Sequence, residues 1–492
     1  MMRPAAFLQP WCGELPAGLL LADLRLDSRQ VCANDAFFAL ASGEGLQAHV
    51  AQAEACGAAL VVVERGQTVQ TRCPVVAVEN LRSCLGAIAS RFYGEPSAAC
   101  KVIGITGTNG KTSCSHWLAQ AWQQLAGPAG IIGTLGCGLV CDTDRHDTGL
   151  TTPDVLSNQR LLAGMVQQGV AMVAMEVSSH ALEQGRVDGV LFDTAIFTNL
   201  SRDHLDYHGD MQSYAAAKQK LFERGELQLS VINTDDDFGK ALCSLTRPGS
   251  HRVLTYAVQD KTADLGVERF EFTGRGIAAS IRTPWGRGEL QSRFPGGYNL
   301  LNILAVAATL CAHGMSLQTV LGAVTQLQAV PGRTQIVSGD EDDILVVIDY
   351  AHTPDALAKI LAALREQAQQ QLWCVFGCGG NRDSGKRPQM AEVAAAGADA
   401  IIVTSDNPRN ESPEAIIADV VAGFAGGAHR VIADRAAAIA AAIGEARRGD
   451  IVLVAGKGHE DYQEVAGRRL PFSDSDEARR ALARRRAAGV EA

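Results

Sequence analysis

The chain has 492 residues, more than one ordinary hydrophobic core accommodates, so about three domains are expected. Its formal net charge of −10 excludes a nucleic-acid coat, because phosphate backbones are held by basic surfaces; a few local Arg and Lys residues still suffice for a phosphorylated small molecule. No stretch reaches the ~18 apolar residues of a membrane span, and residues 1–11 lack the apolar run of a signal peptide. A cytoplasmic protein without membrane insertion is expected. The thirteen cysteines form no C-x-x-C pair, and Cys137/Cys141 and Cys374/Cys378, the closest, have no nearby His; buried free thiols fit better than a metal site.

Residues 1–98 contain short alternations (58–64 and 75–78) separated by Ala-rich helical segments, and Glu95-Pro96-Ser97 marks a linker. From Lys101 the pattern is strand (101–105), glycine loop, helix (112–125), then further strands at 171–175 and 194–197, which implies βαβ units and a parallel sheet. A helix is expected over 211–222. A second break falls at Val330-Pro331-Gly332. Beyond it, strands at 345–349, 372–376, 400–404 and 451–455 alternate with Ala-rich helices, as in a second open α/β sheet. Ligands of such sheets lie beyond the carboxyl ends of the strands, where Asp349, Gly377, Ser405 and Gly456 fall.

The strongest chemical signal is Gly104-Ile105-Thr106-Gly107-Thr108-Asn109-Gly110-Lys111-Thr112-Ser113. A strand enters a Gly-rich turn and a helix begins at Lys111-Thr112. Backbone N–H groups at such a turn approach phosphate oxygens, and the helix N-terminus favours anions. Lys111 would neutralise the β and γ phosphates and the Thr112 hydroxyl would sit on Mg²⁺. The usual six-residue glycine spacing is broken at Ile105. Glu176 follows an apolar strand and suits a hard cation that takes carboxylate oxygens, although a strand-end Glu is about as often a solvated charge. His204 lies among Asp203, Asp206 and His208, a metal or acid–base candidate cluster whose bland alternative is a solvated loop. Lys218, by itself, reads as a helical surface charge.

These blocks, together with Met175-Glu176-Val177-Ser178-Ser179-His180, Phe197-Thr198-Asn199, Ser201-Arg202-Asp203-His204-Leu205-Asp206, Asp349-Tyr350-Ala351-His352-Thr353-Pro354, Asp406-Asn407-Pro408-Arg409 and Gly456-Lys457-Gly458-His459-Glu460, resemble the Mur ligase family. They stand in family order along essentially the whole chain. The resemblance implies an α/β protein of three domains. A UDP-substrate domain would span 1–98, a central P-loop-type parallel-sheet ATP domain 99–332, and a Rossmann-like amino-acid-binding domain 333–492.

The resemblance also implies an activity: ATP-dependent ligation of meso-diaminopimelate to the D-glutamate of UDP-N-acetylmuramoyl-L-alanyl-D-glutamate through an acyl phosphate, by a monomer. The phosphate loop is shared with folylpolyglutamate synthetase, so a folate-type ligase is the enzyme alternative; a non-catalytic P-loop nucleotide-binding module is the other.

Carried over residue by residue, the resemblance gives ATP the segment from Gly107 to Ser113, with Asn299, Arg333, Tyr350 and His352. Lys111, Lys218 and His204 become catalytic. Mg²⁺ is assigned Thr112, Glu176, His204 and a CO₂-derived carbamate on Lys218. The UDP-muramoyl-dipeptide is assigned Leu26, Ser28, Thr151, Thr152, Ser178, Gln184 and Arg186; the chain departs from the family pattern at Leu150 and at Ser42-Gly43-Glu44. The acceptor is assigned Arg382, Asp406, Asn407, Pro408, Arg409, Gly456 and Glu460. Arg409 is the selective element, because a guanidinium pairs bidentately with the distal carboxylate that L-lysine lacks. The ordinary alternative for Arg409 is a surface residue near a helix start.

Overall fold

The computed structural model describes residues 2–13, 15, 18–142, 145–245, 251–273, 276–339 and 341–490, with the side chains of Glu44, Thr273 and 488–490 outside the description. Two compact units are present: residues 1–104, 127–195 and 224–228 form one, and residues 105–126, 196–223 and 229–492 the other.

In the first unit, four parallel strands lie in the order Leu24–Arg25, Ala36–Ala39, Leu60–Glu64 and Val75–Val78. Their side chains alternate between faces, as a pleat requires. Ala36, Phe38, Leu60 and Val62 pack against the helix Leu81–Tyr93, whereas Phe37, Ala39, Val61 and Val63 pack against the helix Glu44–Ala55. Ala36–Ala39 and Leu60–Glu64 are buried on both faces, whereas Val75–Val78 alternates exposed and buried residues, as a strand with one solvated face does. The same unit pairs Ala129–Gly133 in parallel with Met172–Glu176 and antiparallel with Gly136–Leu139.

The second unit holds a six-stranded sheet in the order Gln335–Ile336, Leu345–Asp349, Ile451–Ala455, Leu372–Phe376, Ala400–Val403, Arg430–Val431. The four central strands run parallel, so their carboxyl ends share one edge. The helices Pro354–Arg365, Lys386–Gly397 and Pro413–Val421 cover one face, and Arg435–Glu445 with Asp474–Val490 the other. Elsewhere in this unit Leu229–Asn233 and Arg252–Ala257 pair in parallel. Leu265–Thr273 joins Arg252–Ala257 in parallel, and Gly276–Thr283 and Gly286–Ser292 then continue antiparallel.

The helix expected over 211–222 ends at Gln219. Its last turn tightens: Leu221 N–H bonds Lys218 O and Phe222 N–H bonds Gln219 O, three-residue closures of the kind that finish helices. Among the described residues, no helix is long and apolar enough to cross a membrane. The cysteines are free thiols; Cys374 and Cys378 are buried, but Cys141 is exposed.

Candidate functional site

The phosphate loop joins the strand Lys101–Thr106 to the helix Lys111–Ala126. Gly107 and Gly110 have φ of +148° and +88°, a region open to glycine and costly for other residues. Both are also crowded: a Cβ on Gly107 would lie 1.9 Å from Thr198 Oγ1, and one on Gly110 would lie 2.5 Å from Asn302 Oδ1. The loop is laced to the next strand end. Thr108 N–H donates to Asn199 O at 2.8 Å, Asn109 N–H donates to Asn199 Oδ1 at 3.0 Å, and Thr198 Oγ1 donates to Asn109 O at 2.6 Å. Lys111 Nζ donates to Gly107 O and Thr108 O, each at 2.8 Å. Its charge therefore sits in the mouth of the loop. Thr112 and Ser113 are buried at the helix start.

Lys218 is not a surface charge. It is 1% exposed, donates to Gly107 O at 2.9 Å, and lies 4.3 Å from the Tyr214 ring centroid. Burial, then the neighbouring charge of Lys111, holds its amine well below the usual lysine range. Tyr214 in turn bonds Thr108 Oγ1 at 3.1 Å.

Beside this group His204 adopts a left-handed φ of +56° and caps the short helix Leu205–His208. Asp203 is the hub. His204 Nε2 lies 3.4 Å from Asp203 Oδ2, His352 Nε2 lies 3.6 Å from it, and Lys386 Nζ is 3.9 Å from Oδ1. Burial alone would raise the Asp203 pKa, but the His352 hydrogen bond and the surrounding cationic groups hold it far below the carboxylate range.

Asp349 accepts Thr334 N–H at 2.6 Å, which fixes the turn that carries Arg333. Arg333 Nη2 then donates to Thr112 Oγ1 at 3.2 Å, and its guanidinium covers a face of the Tyr350 ring at 4.2 Å. His352 and His459 flank the same ring. Asn299 is buried and donates to Pro295 O at 2.8 Å; Asn302, one turn on, is the residue that meets the phosphate loop.

The acceptor candidates gather at the carboxyl edge of the six-stranded sheet. Asp406, Asn407 and Pro408 are buried. Asn407 Nδ2 donates to Glu460 Oε2 at 2.7 Å. Lys457, 0% exposed, donates to Asn407 Oδ1 at 3.1 Å and to Glu460 Oε2 at 2.9 Å. Gly456 lies against Asp406, since a Cβ there would be 2.6 Å from Asp406 Oδ2. Arg409 donates from Nη1 to Gly380 O at 2.7 Å, and its Nε stands 3.6 Å from Glu464 Oε2. Arg382 is exposed, its Nη1 3.5 Å from Asn381 O. Beneath them Arg435 and Asp474 form a pair at 2.7 Å with both side chains 0% exposed. Arg435 Nη2 also bonds Ala455 O at 2.9 Å.

In the first unit Glu176 ends its strand fully buried and accepts from Thr134 N–H at 2.9 Å and Thr134 Oγ1 at 3.1 Å. Thr134 Oγ1 also reaches Thr151 Oγ1 at 3.1 Å. Thr152 Oγ1 donates to Glu176 O at 2.8 Å and accepts Ser178 N–H at 3.0 Å. Arg186 donates to Thr152 O at 3.1 Å and to Gln184 Oε1 at 2.9 Å. Five of the seven residues expected on the UDP-substrate thus form one polar cluster with Glu176. The other two differ. Ser28 is 3% exposed and donates inward to Gln52 Oε1 at 2.7 Å, and Leu26 packs on the N-terminal core.

Asp203 enters the sequence reading only as a neighbour in the His204 cluster, and Tyr214 and Lys457 are given no role there, although Lys457 stands inside a quoted motif; their signal was adjacency to residues that were assigned one. Among the described residues, no three His, Cys, Asp or Glu side chains are grouped to hold a metal ion.

Comparison with known proteins gives a consistent result. The Mur ligase middle domain matches residues 105–310, and the Mur ligase glutamate ligase domain matches residues 332–458. A UDP-N-acetylmuramoyl-L-alanyl-D-glutamate–2,6-diaminopimelate ligase of Pseudomonas aeruginosa is 50% identical over 473 residues, 94% of this chain and 96% of that one. The ligase of the same name from Ectopseudomonas mendocina is 48% identical over 479 residues, 95% and 97% of the two chains. A solved structure of a ligase of this name superposes with a TM-score of 0.69 at 35% identity, covering 99% of this chain and 100% of the other.

Proposed function

The chain belongs to the Mur ligase family, and from that premise we propose that it ligates meso-diaminopimelate to the D-glutamate of UDP-N-acetylmuramoyl-L-alanyl-D-glutamate, with ATP cleaved to ADP and phosphate, in cytoplasmic peptidoglycan precursor synthesis. The observation that carries the acceptor is the cluster of Asp406, Asn407, Arg409 and Glu460 at one sheet edge. It sets acidic groups for an ammonium beside a guanidinium for a carboxylate, the two charges at the far end of diaminopimelate. The two related ligases bear the name of this reaction.

The D-glutamate side-chain carboxylate attacks the γ phosphorus of ATP; an O–P bond forms as ADP leaves, giving an acyl phosphate. The acceptor amine then adds to the acyl carbon. The tetrahedral adduct loses phosphate and a proton, and an amide remains. Lys111 leaves the carbonyls of Gly107 and Thr108 to neutralise phosphate oxygens, and Arg333, poised at Thr112, adds a second cation. Such preorganised charge is the main source of rate in phosphoryl transfer. Thr151, Thr152, Ser178, Gln184 and Arg186 orient the muramoyl-dipeptide, and Leu26 and Ser28 lie on its uridine side. Asn299, Tyr350 and His352 serve the nucleotide, and Arg382, Pro408 and Gly456 complete the acceptor site.

Taken one by one, the residues assigned to Mg²⁺ carry donors that the ion accepts: Glu176 a buried carboxylate, Thr112 a hydroxyl and His204 an imidazole. When bound, the ion neutralises phosphate charge. Lys218 is assigned a carbamate, formed when its neutral amine adds CO₂ and releases a proton. Its burial and its neighbour Lys111, which favour the neutral amine, support this. Domains of residues 1–98, 99–332 and 333–492, acting as a monomer, complete the reading.

An acceptor panel tests it. With ATP and the UDP-muramoyl-dipeptide, phosphate release should require meso-diaminopimelate and be weak with L-lysine, L-ornithine or glutamate. Equal use of L-lysine, or stimulation by a folate in place of the UDP substrate, would overturn it.

A further inference from the structure

The loop 377–385 joins the strand Leu372–Phe376 to the helix Lys386–Gly397 and carries Arg382. On one side it is fastened to the acceptor segment. Gly380 N–H donates to Asn407 O at 2.9 Å, Asn410 N–H donates to Asn381 Oδ1 at 3.1 Å, and Arg409 holds Gly380 O at 2.7 Å. On its other side it meets the segment that carries His204. Arg202 Nε donates to Asp383 Oδ2 at 3.2 Å and Nη2 to Oδ1 at 3.5 Å, a two-point fork. Behind that pair lies the contact of Lys386 with Asp203 at 3.9 Å, both side chains 8% exposed.

A surface arginine is ordinarily worth little, and Arg202 is 44% exposed. Asp383 is different. Its side chain is 12% exposed, and Oδ1 also accepts Gly385 N–H at 2.9 Å, so the carboxylate is fixed in the turn that opens the helix. A fixed carboxylate facing a planar guanidinium transmits position, not only charge.

We infer that Arg202 and Asp383 are positioning residues whose ion pair holds the acceptor-binding loop in register with the His204 segment, so that acceptor and phosphoryl group are aligned together. Neither side chain contacts substrate in this account. The inference rests on the ligase reading above. The pair's expected signature is a defect in acceptor use that ATP binding does not share.

The test is a charge-swap cycle in the full-length enzyme: Arg202→Glu, Asp383→Arg and the double variant. The readouts are KM for meso-diaminopimelate, kcat, ATP affinity by calorimetry, and Tm. Each single variant should keep a native Tm and ATP affinity but raise the acceptor KM about fivefold or more, the scale of losing a well-formed exposed pair and facing like charges. The double variant should return to within about twofold of native. Single variants with native acceptor KM, a double variant no better than the singles, or losses that track Tm would overturn the pairing role. Native enzyme that fails to ligate diaminopimelate at all would instead overturn the ligase reading, so the two failures are distinct.

Discussion

Arg409→Ala should separate diaminopimelate from L-lysine as acceptors. The backbone there is held on both sides: Arg409 N–H donates to Glu464 O at 2.8 Å and Ala466 N–H donates to Arg409 O at 2.6 Å. Its φ is +53°, a strain the alanine variant shares, so the substitution mainly removes the side chain. The guanidinium is pre-aimed by Gly380 O at 2.7 Å and is 21% exposed, which makes it largely desolvated when an acceptor covers it. Losing a hydrogen bond to a charged group costs about 1.5–3 kcal/mol, or roughly 10- to 150-fold in acceptor KM at about 1.4 kcal/mol per decade. Phosphate release, measured against meso-diaminopimelate and L-lysine at saturating ATP and UDP substrate, reads it directly. The diaminopimelate KM should rise on that scale with the L-lysine value little changed, and Arg409→Lys should recover only part, because a point charge lacks the fork. A variant that still prefers diaminopimelate by the native margin would refute the role of this residue.

Lys111→Ala should lower kcat by about 10²–10³ with the fold retained by circular dichroism, the typical cost of one charge-stabilising group; near-native turnover would remove the phosphate-loop assignment. Lys218→Ala should be nearly inactive and partly restored by formate or acetate, which replace the lost anionic oxygens. Absence of rescue, with an unmodified amine seen in the ATP-bound enzyme, would count against the carbamate. His459 is held at a pKa of about 3 by burial first, then by the charges of Arg333 and Lys457. The unfolded chain takes up a proton near 6.5 that the folded chain refuses, so stability falls as pH drops from 6.5 toward 3, by about 1.4 kcal/mol per unit. His459→Gln should flatten the Tm-against-pH slope over that window, and an unchanged slope would contradict the assignment.

Much of this was legible in the sequence because local pattern and tertiary role coincide. The strands Leu345–Asp349, Leu372–Phe376 and Ile451–Ala455 are apolar runs buried on both faces and bounded by polar residues, so their ends and the residues beyond them could be read directly. The loop from Gly107 to Thr112 carries its own turn chemistry. Lys218 was the opposite case: nothing local separates a helical surface lysine from one placed under Gly107 O, and only the family pattern singled it out. The Asp203 hub draws on the adjacent His204 and on His352 and Lys386, the last two more than a hundred residues further along the chain, and Lys457 became visible only once Asn407 and Glu460 were brought to it. The strands Leu265–Thr273, Gly276–Thr283 and Gly286–Ser292 carry no such mark in the sequence, because one exposed face breaks the apolar run that marks the others.

The central claim is that this chain activates the D-glutamate carboxylate by phosphorylating it. Labelling that carboxylate with ¹⁸O and analysing released phosphate by mass spectrometry tests this most directly. One ¹⁸O should appear in each phosphate released, dependent on both the UDP-muramoyl-dipeptide and meso-diaminopimelate. Phosphate released without label while amide accumulates would contradict it.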